Sequence, residues 1–390
     1  MNILVIGNGF DLAHGLPTQY GDFLEYIKKF DEFKHQNICS CAKSKKDVEV
    51  FAHFVELENK NPGIISELQE LSNNNLWIKY FTNIYESRKQ EGKVGWIDFE
   101  NEISTIIQAL DSARITLNTQ FRNGSPHGKL EQWQHNTLDP ILSQDGKVRD
   151  CNMCSFNNTY IFNCKTVLYN DMVRLIRSLE IYLSCYISYE KCKKLKDISE
   201  LQINYVLSFN YTMTYERLYA LKIHEVGSNG IKQKSTIDCD YIHGKAKIDN
   251  SIETCNMIIG IDEYLHDGME DTDNEFIQFK KFYQRIYKMT GCHYTDWLAH
   301  RNTRTWTGDE SPGLEIHIYG HSLDVTDRDI LRDLILADGA KTIIYYHNND
   351  ALGKLIANLV KVIGEKELIK RTDGQNRTII FKKTSKETVS

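Results

Sequence analysis

A chain of 390 residues with a formal charge of −6 at pH 7 exceeds what one core usually supports, so one large or two modest domains are expected. The acidic balance argues against nucleic-acid binding driven by bulk electrostatics, though not against a local basic patch. The longest apolar runs, residues 3–6 and 316–319, fall far short of the roughly 20 residues of a bilayer span, and a strand starting at Asn2 leaves no room for a signal peptide. The expected location is the cytoplasm, with no membrane partner.

Residues 2–6 form a continuous β-branched run, the pattern of a parallel strand covered on both faces. It ends at Gly7-Asn8-Gly9. Tyr20, Phe23, Leu24, Ile27 and Phe30 then recur at helical spacing, giving strand, glycine loop and helix in order. From residue 31 to 199 the texture is that of amphipathic helices between Lys-rich and Asn/Gly-rich loops, read as a large, mainly helical insertion. Its clearest helix carries Leu175, Ile176, Leu179 and Tyr182, and residues 122–152 read as one long mobile connection. Strand-like runs return at 203–208, 239–242, 256–259, 315–319 and 342–346, each ending in small or polar residues. In an open α/β sheet such ends share one edge, where ligands bind. Thr326 and Asp329 form a capping-box pattern before a helix bearing Ile330, Leu331, Leu334 and Ile335, and residues 351–364 supply a last amphipathic helix. The expected division is residues 1–30 with 200–390 as the α/β domain and 31–199 as the insertion.

The ten cysteines are scattered. Cys39-Ser-Cys41 and Cys151-Asn-Met-Cys154, with Cys164 nearby, offer one proper Cys-x-x-Cys and no clear mate for a zinc site, so reduced thiols and no bound metal are expected.

The block Gly7-Asn8-Gly9-Phe10-Asp11-Leu12-Ala13-His14-Gly15-Leu16-Pro17 is the strongest chemical signal. Glycines allow a tight turn and close approach to a pyrophosphate, and free N–H groups at a helix start favour the anion. The dinucleotide fingerprint would place its third glycine at Leu12, and alone the motif fits a plain change of chain direction equally well.

The order of this block, then Ser208-Phe209-Asn210, His243-Gly244 and Gly320-His321-Ser322-Leu323, resembles the sirtuin family and its NAD-hydrolysing relatives. The whole chain is more similar still to the AbiH family of phage abortive-infection proteins, whose marks are the amino-terminal Gly-Asn-Gly-Phe-Asp-Leu-x-His-Gly-Leu-Pro-Thr, an internal Phe-Asn-Tyr-Thr and a late Gly-His-Ser-Leu. Departures from the sirtuin pattern are specific. Only Cys255 falls between His243 and Gly260, so there is no zinc ribbon and no deacetylase. Thr18, Gln19 and Tyr20 replace an arginine-bearing stretch, and Thr212 stands where an aspartate belongs.

The resemblance implies a sirtuin-like, Rossmann-type parallel sheet and an antiviral effector that binds and hydrolyses NAD, or a related nucleotide, at the nicotinamide–ribose bond. His243 would be the base, Asn210 would orient ribose hydroxyls or water, and Asp11 would steady the developing cation. Gly7, Asn8, Gly9, Phe10, Gly15, Pro17, Thr212, Gly320, His321 and Ser322 would hold the nucleotide. His14 either caps the loop or touches phosphate, and the Gly320–Ser322 turn either holds a ribose or phosphate or merely joins strand to helix. Ser322 is no hydrolase nucleophile, since Asp324 stands where the elbow needs glycine.

Two further patterns leave other readings open. Asp98 and Glu102 share a helix face and could hold magnesium, or form a solvated face. Residues 276–306 mix aromatics (Phe276, Phe279, Phe282, Tyr283, Trp297, Trp306) with Lys280, Lys281, Arg285, Lys288, Arg301 and Arg304. They read as an amphipathic helix with Phe276, Phe279 and Tyr283 on its core face, or as a nucleic-acid surface. A regulatory nucleotide site without turnover and a nucleic-acid-directed toxin are therefore the rival functions. A phage-derived trigger and self-association stay open as partners.

Overall fold

The computed structural model describes residues 1–35, 45–92, 97–124, 129–143, 158–226, 231–261, 274–303, 313–375, 377–385 and 387–389. The cysteines at 39, 41, 151 and 154, Arg304 and Trp306 lie outside them. No helix among the described residues is long and apolar enough to cross a membrane, and none of their His, Cys, Asp and Glu side chains cluster as a metal site would.

The fold is α/β, and the chain divides into two compact units. The first comprises Met1–Thr18, Ile187–Ala246 and Lys288–Ser390; the second comprises Gln19–Tyr186 and Lys247–Tyr287. Against the expected limits of 1–30 and 200–390, residues 19–30 and 247–287 group with the helices, and residues 187–199 with the sheet.

The first unit is built on a six-stranded sheet of β1 (Asn2–Ile6), β2 (Tyr205–Ser208), β3 (Asp238–Tyr241), β4 (Leu314–Tyr319), β5 (Ala340–Tyr346) and β6 (Ile379–Lys383). Their order across the sheet is 3-2-1-4-5-6, and every neighbouring pair is parallel. β1 sits inside, with Ile3, Leu4 and Val5 fully buried, which is why its sequence is apolar on both faces. One face packs Ile3, Val5, Ile316 and Ile318 against Ile330, Leu331, Leu334 and Leu359; the other packs Leu4, Ile6, Phe10, Val206, Tyr319 and Tyr345. Ile6 aligns with Ser208 and Tyr319, and Ser208 with Tyr241, so the chain leaves β1, β2, β3 and β4 at one edge.

Several sequence expectations are corrected here. Residues 256–259 form no strand. Met257, Ile258 and Ile259 are fully buried in the helical unit, where the backbone of Ile261 pairs with Phe279 and Lys281, and Gln284 Nε2 donates to the Ile259 carbonyl. Packing against a helix start, not a ladder, explains that apolar run. β6 was not anticipated, because an edge strand with one well-buried residue, Ile379, carries little period-two signal. Within 122–152, Gln132–Leu142 is a helix opened by a reciprocal Glu131–Gln134 capping box. The helix start predicted at Thr326 falls at Asp327. Asp324 instead caps a 3₁₀ turn, Val325–Asp327, by accepting from the Thr326 amide, and the helix Arg328–Ile335 follows.

The second unit packs helices around a stacked aromatic core in which Phe99 lies 4.0 Å from Phe81 and 4.1 Å from Tyr20 between ring centroids. Asn75 caps the helix Leu76–Gln90 while buried, its Oδ1 accepting from the Trp77 and Ile78 amides. Arg177, 1% exposed, bonds Glu67 and Glu180 at 2.7 Å each, and Glu180 also accepts from the Lys247 amide and Asn250. That buried network ties residues 247–250 to the helix Asn158–Ile181.

Candidate functional site

The site lies at the sheet edge where β1, β2, β3 and β4 end. From β1 the chain turns through Gly7 into a short helix, Asn8–Ala13. Here the glycines meet a packing requirement. A Cβ on Gly7 would sit 2.6 Å from His321 Cα, one on Gly9 2.8 Å from Gly320 Cα, and one on Gly320 2.1 Å from the Phe10 nitrogen. The three glycines therefore allow the loop after β1 and the loop after β4 to pack backbone on backbone. The amides also are engaged: Gly7 donates to Tyr319 O, Gly9 to Gly320 O and Phe10 to Gly7 O. The bare N–H groups expected for a pyrophosphate are thus used within the protein at these three residues.

The short helix ends in a Schellman turn. The Gly15 amide bonds Leu12 O, the Leu16 amide bonds Asp11 O, and Gly15 adopts φ +79. Leu16 is buried beneath it. Nothing lies within 4 Å of a Cβ built on Gly15, so its requirement is conformational. Gly15→Ala should cost about 1–2 kcal/mol through the left-handed backbone alone, read as a lowered urea midpoint at unchanged m.

Of the two roles open to His14, the geometry supplies the capping one. Its Nδ1 meets Phe10 O at 2.7 Å and its Nε2 meets the Tyr219 hydroxyl at 2.8 Å. That hydroxyl accepts from the Leu195 amide, leaving its own proton for His14. Burial lowers the His14 pKa and pushes Tyr219 up to about 12, so a neutral imidazole and a protonated phenol are both favoured. Phe10 is fully buried in an aromatic cluster with His14, Tyr215, Tyr219 and Tyr319. Asn8, exposed, accepts from the Thr18 hydroxyl, and Pro17 is half-buried beside it.

Two polar clusters remain. In the first, Thr214 Oγ1 donates to Thr212 Oγ1 at 3.1 Å, and Thr212 Oγ1 to Asp11 Oδ2 at 2.6 Å. Asp11 is 1% exposed, and burial raises its carboxyl to about 6 against the lowering pull of Thr212, Thr214, Arg217 and Asn210. Asn210 is close enough to exert that pull, yet Asp11 Oδ1 and Asn210 Nδ2 are both buried with no hydrogen-bond partner. In the second, Asp327 Oδ1 lies 3.1 Å from His243 Nε2 and Asp327 Oδ2 lies 3.5 Å from His321 Nε2. All three are buried. The Phe209 ring stands edge-on to both imidazoles, with centroids 5.3 Å and 4.3 Å away. Consecutive residues Phe209, Asn210 and Tyr211 join the two clusters.

The structure thus brings Asp11, Asn210 and Thr212 together, and His243 with His321. Ser322 is exposed beside them, its carbonyl bonded to Asn358. Sequence reasoning missed Asp327 and Thr214. The run Asp324-Val-Thr-Asp327 reads as helix-capping chemistry, which hid the second aspartate.

The described residues of the two rival patterns lie in the helical unit up to Tyr287 and in the first unit from Lys288. Asp98 caps the helix Phe99–Arg122, Glu102 is bound to Arg88 at 2.6 Å, and Glu100 to Lys281 at 2.8 Å. Those carboxylates are occupied by caps and cations. The predicted 276–306 helix is broken into a 3₁₀ turn at Ile277–Phe279 and helices Lys281–Lys288 and His293–Thr303. Phe276, Phe279 and Trp297 are buried, as are Lys280 and Lys281, while Phe282, Ile286 and Tyr287 are exposed. A cavity of about 530 Å³ lined by Tyr80, Asn83, Arg88 and Pro140 contains none of the site residues.

A model of the family described as bacteriophage abortive infection AbiH matches residues 3–346. No curated protein and no solved structure matches the chain.

Proposed function

The chain belongs to the AbiH family of bacteriophage abortive-infection proteins, and from that premise we propose that it is an antiviral effector that binds NAD and hydrolyses its nicotinamide–ribose bond. The strand order 3-2-1-4-5-6 is that of dinucleotide-binding, Rossmann-type sheets, whose ligands sit where the order reverses. Here that reversal lies between β1 and β4, whose loops carry Asp11, His321 and Asp327. A sirtuin-like reading of the motif order fits this placement.

The observation that carries the proposal is the unpaired couple Asp11 Oδ1 and Asn210 Nδ2. A buried polar atom left unpaired costs about 1–3 kcal/mol, and one acceptor beside one donor complements the hydroxyls of a ribose. With the Gly7, Gly9 and Phe10 amides engaged, side chains supply the recognition. Hydrolysis breaks the C1′–N bond, the electron pair leaving on nicotinamide; a water oxygen bonds to C1′ and its proton passes to His243. Asp11 as carboxylate opposes the positive charge on the sugar, and Asn210 orients the hydroxyls or the water.

Purified protein incubated with NAD, with and without extract of phage-infected cells, should release nicotinamide measurable by chromatography. His243→Ala should slow release roughly 10²–10⁴-fold. Absence of nicotinamide under both conditions would remove the enzymatic reading.

A further inference from the structure

Asp327 occupies the N-cap position of the helix Arg328–Ile335, where an aspartate ordinarily accepts a backbone N–H of the first turn. This one makes no such capping bond. Its two carboxylate oxygens are turned instead to two imidazoles, His243 at 3.1 Å and His321 at 3.5 Å. His321 is itself oriented, since the Leu323 amide donates to its Nδ1 at 2.9 Å. That bond assigns the His321 proton to Nε2, the atom facing Asp327. The turn that makes this possible is strained: Leu323 adopts φ +57, unusual for a branched side chain, and is held there fully buried in the core.

We propose that Asp327 is the positioning residue of this site, its carboxylate gripped by His321 and turned onto Nε2 of His243 so that Nδ1 becomes the basic nitrogen of the His243 ring. This rests on the reading of His243 as the base. A neutral imidazole has one protonated nitrogen, and an aspartate acceptor at Nε2 selects the Nε2–H tautomer. The same carboxylate then stabilises the imidazolium formed when Nδ1 takes the proton of the attacking water or of a ribose hydroxyl, as in other aspartate–histidine pairs. Asp327 and the rings of Phe209 and Tyr211 pack on His243, and His321 acts through Asp327. Lys245, two residues on, is bound to Glu216 at 2.9 Å.

The test has a spectroscopic arm and a kinetic arm. Nitrogen NMR of histidine-labelled wild-type protein should find neutral His243 as the Nε2–H tautomer. In Asp327→Asn its titration midpoint should fall by about 1–3 pH units. For NAD cleavage, Asp327→Asn should lower kcat about 10²–10⁴-fold with KM little changed. His321→Gln, which keeps an N–H donor, should retain more activity than His321→Leu. An Nδ1–H tautomer in the wild type, or a His243 midpoint unmoved by Asp327→Asn, overturns the proposal. The tautomer needs no variant, so a misfolded Asp327→Asn leaves the test intact. If the wild type releases no nicotinamide, the NAD reading falls, and the NMR arm still decides the role of Asp327.

Discussion

Asp11→Asn is expected to lose NAD cleavage and to gain stability at neutral pH. The carboxyl is 1% exposed and its pKa is raised from 3.8 to about 6, chiefly by burial. A folded-state pKa above the unfolded one means that the native protein disfavours the ionised form. The resulting penalty is present above about pH 6, shrinks as pH falls, and vanishes below the unfolded value near 4. A shift of about 2 units bounds it at roughly 3 kcal/mol. Asparagine is isosteric, still accepts the Thr212 hydroxyl, and carries no charge to bury. Thermal melts should therefore show a higher Tm than wild type at pH 7.5 and convergence toward pH 4. Cleavage should fall about 10²–10³-fold, the scale of losing one preorganised electrostatic contact. Wild-type cleavage should itself decline as pH drops through about 6 and the carboxylate is protonated. A variant that melts lower than wild type at pH 7.5 would make Asp11 a stabilising group and sink this account.

Gly320→Ala should destroy the first unit's packing. The added Cβ would lie 2.1 Å from the Phe10 nitrogen and 2.4 Å from the Gly9 carbonyl carbon, both backbone, so no side chain can swing away. Gly320 also adopts φ +69, which costs alanine about 1–2 kcal/mol by itself. Overpacking adds about 1–3 kcal/mol, and the Gly9–Gly320 hydrogen bond must open to relieve it. The expected loss is at least about 3 kcal/mol, or failure to fold. Gly353→Ala is the matched control: nothing lies within 4 Å of its Cβ on the helix Asn349–Ile363, where alanine should be neutral or mildly stabilising. Denaturant midpoints compare the pair, and a Gly320→Ala protein melting with the wild type would refute the interlock of the two loops.

The same pair of loops shows why motif reading reached part of the site. Gly7, Gly9 and Gly320 stand out in the sequence because each forbids a Cβ, but the sequence does not say what the missing atom makes room for. A phosphate and a neighbouring backbone impose the same demand, and here the neighbour is the other loop. Gly15 is clearer, since a glycine followed by an apolar residue after a short helix is a local turn signal, and the two bonds of its turn close between Asp11 and Leu16. Asp327 was hidden for the converse reason. Its local context offers a sufficient capping role, and only the return of β3 to the same edge brings His243 to its carboxylate beside His321.

What the chain determined by itself are the features set by near neighbours: buried strands at β1, β2, β4 and β5, the amphipathic helix after Gly320, and the ordering of polar strand ends. These follow from side-chain periodicity and backbone sterics, which act over a few residues. Tertiary structure alone decided that the apolar run at 257–259 packs among helices, that Asp11 and Asn210 lie close together with one buried polar atom unpaired on each, and that Asp327 lies between His243 and His321. Those outcomes depend on strand order and register across some 300 residues of chain, and no short-range preference encodes which distant polar atom a buried group will meet.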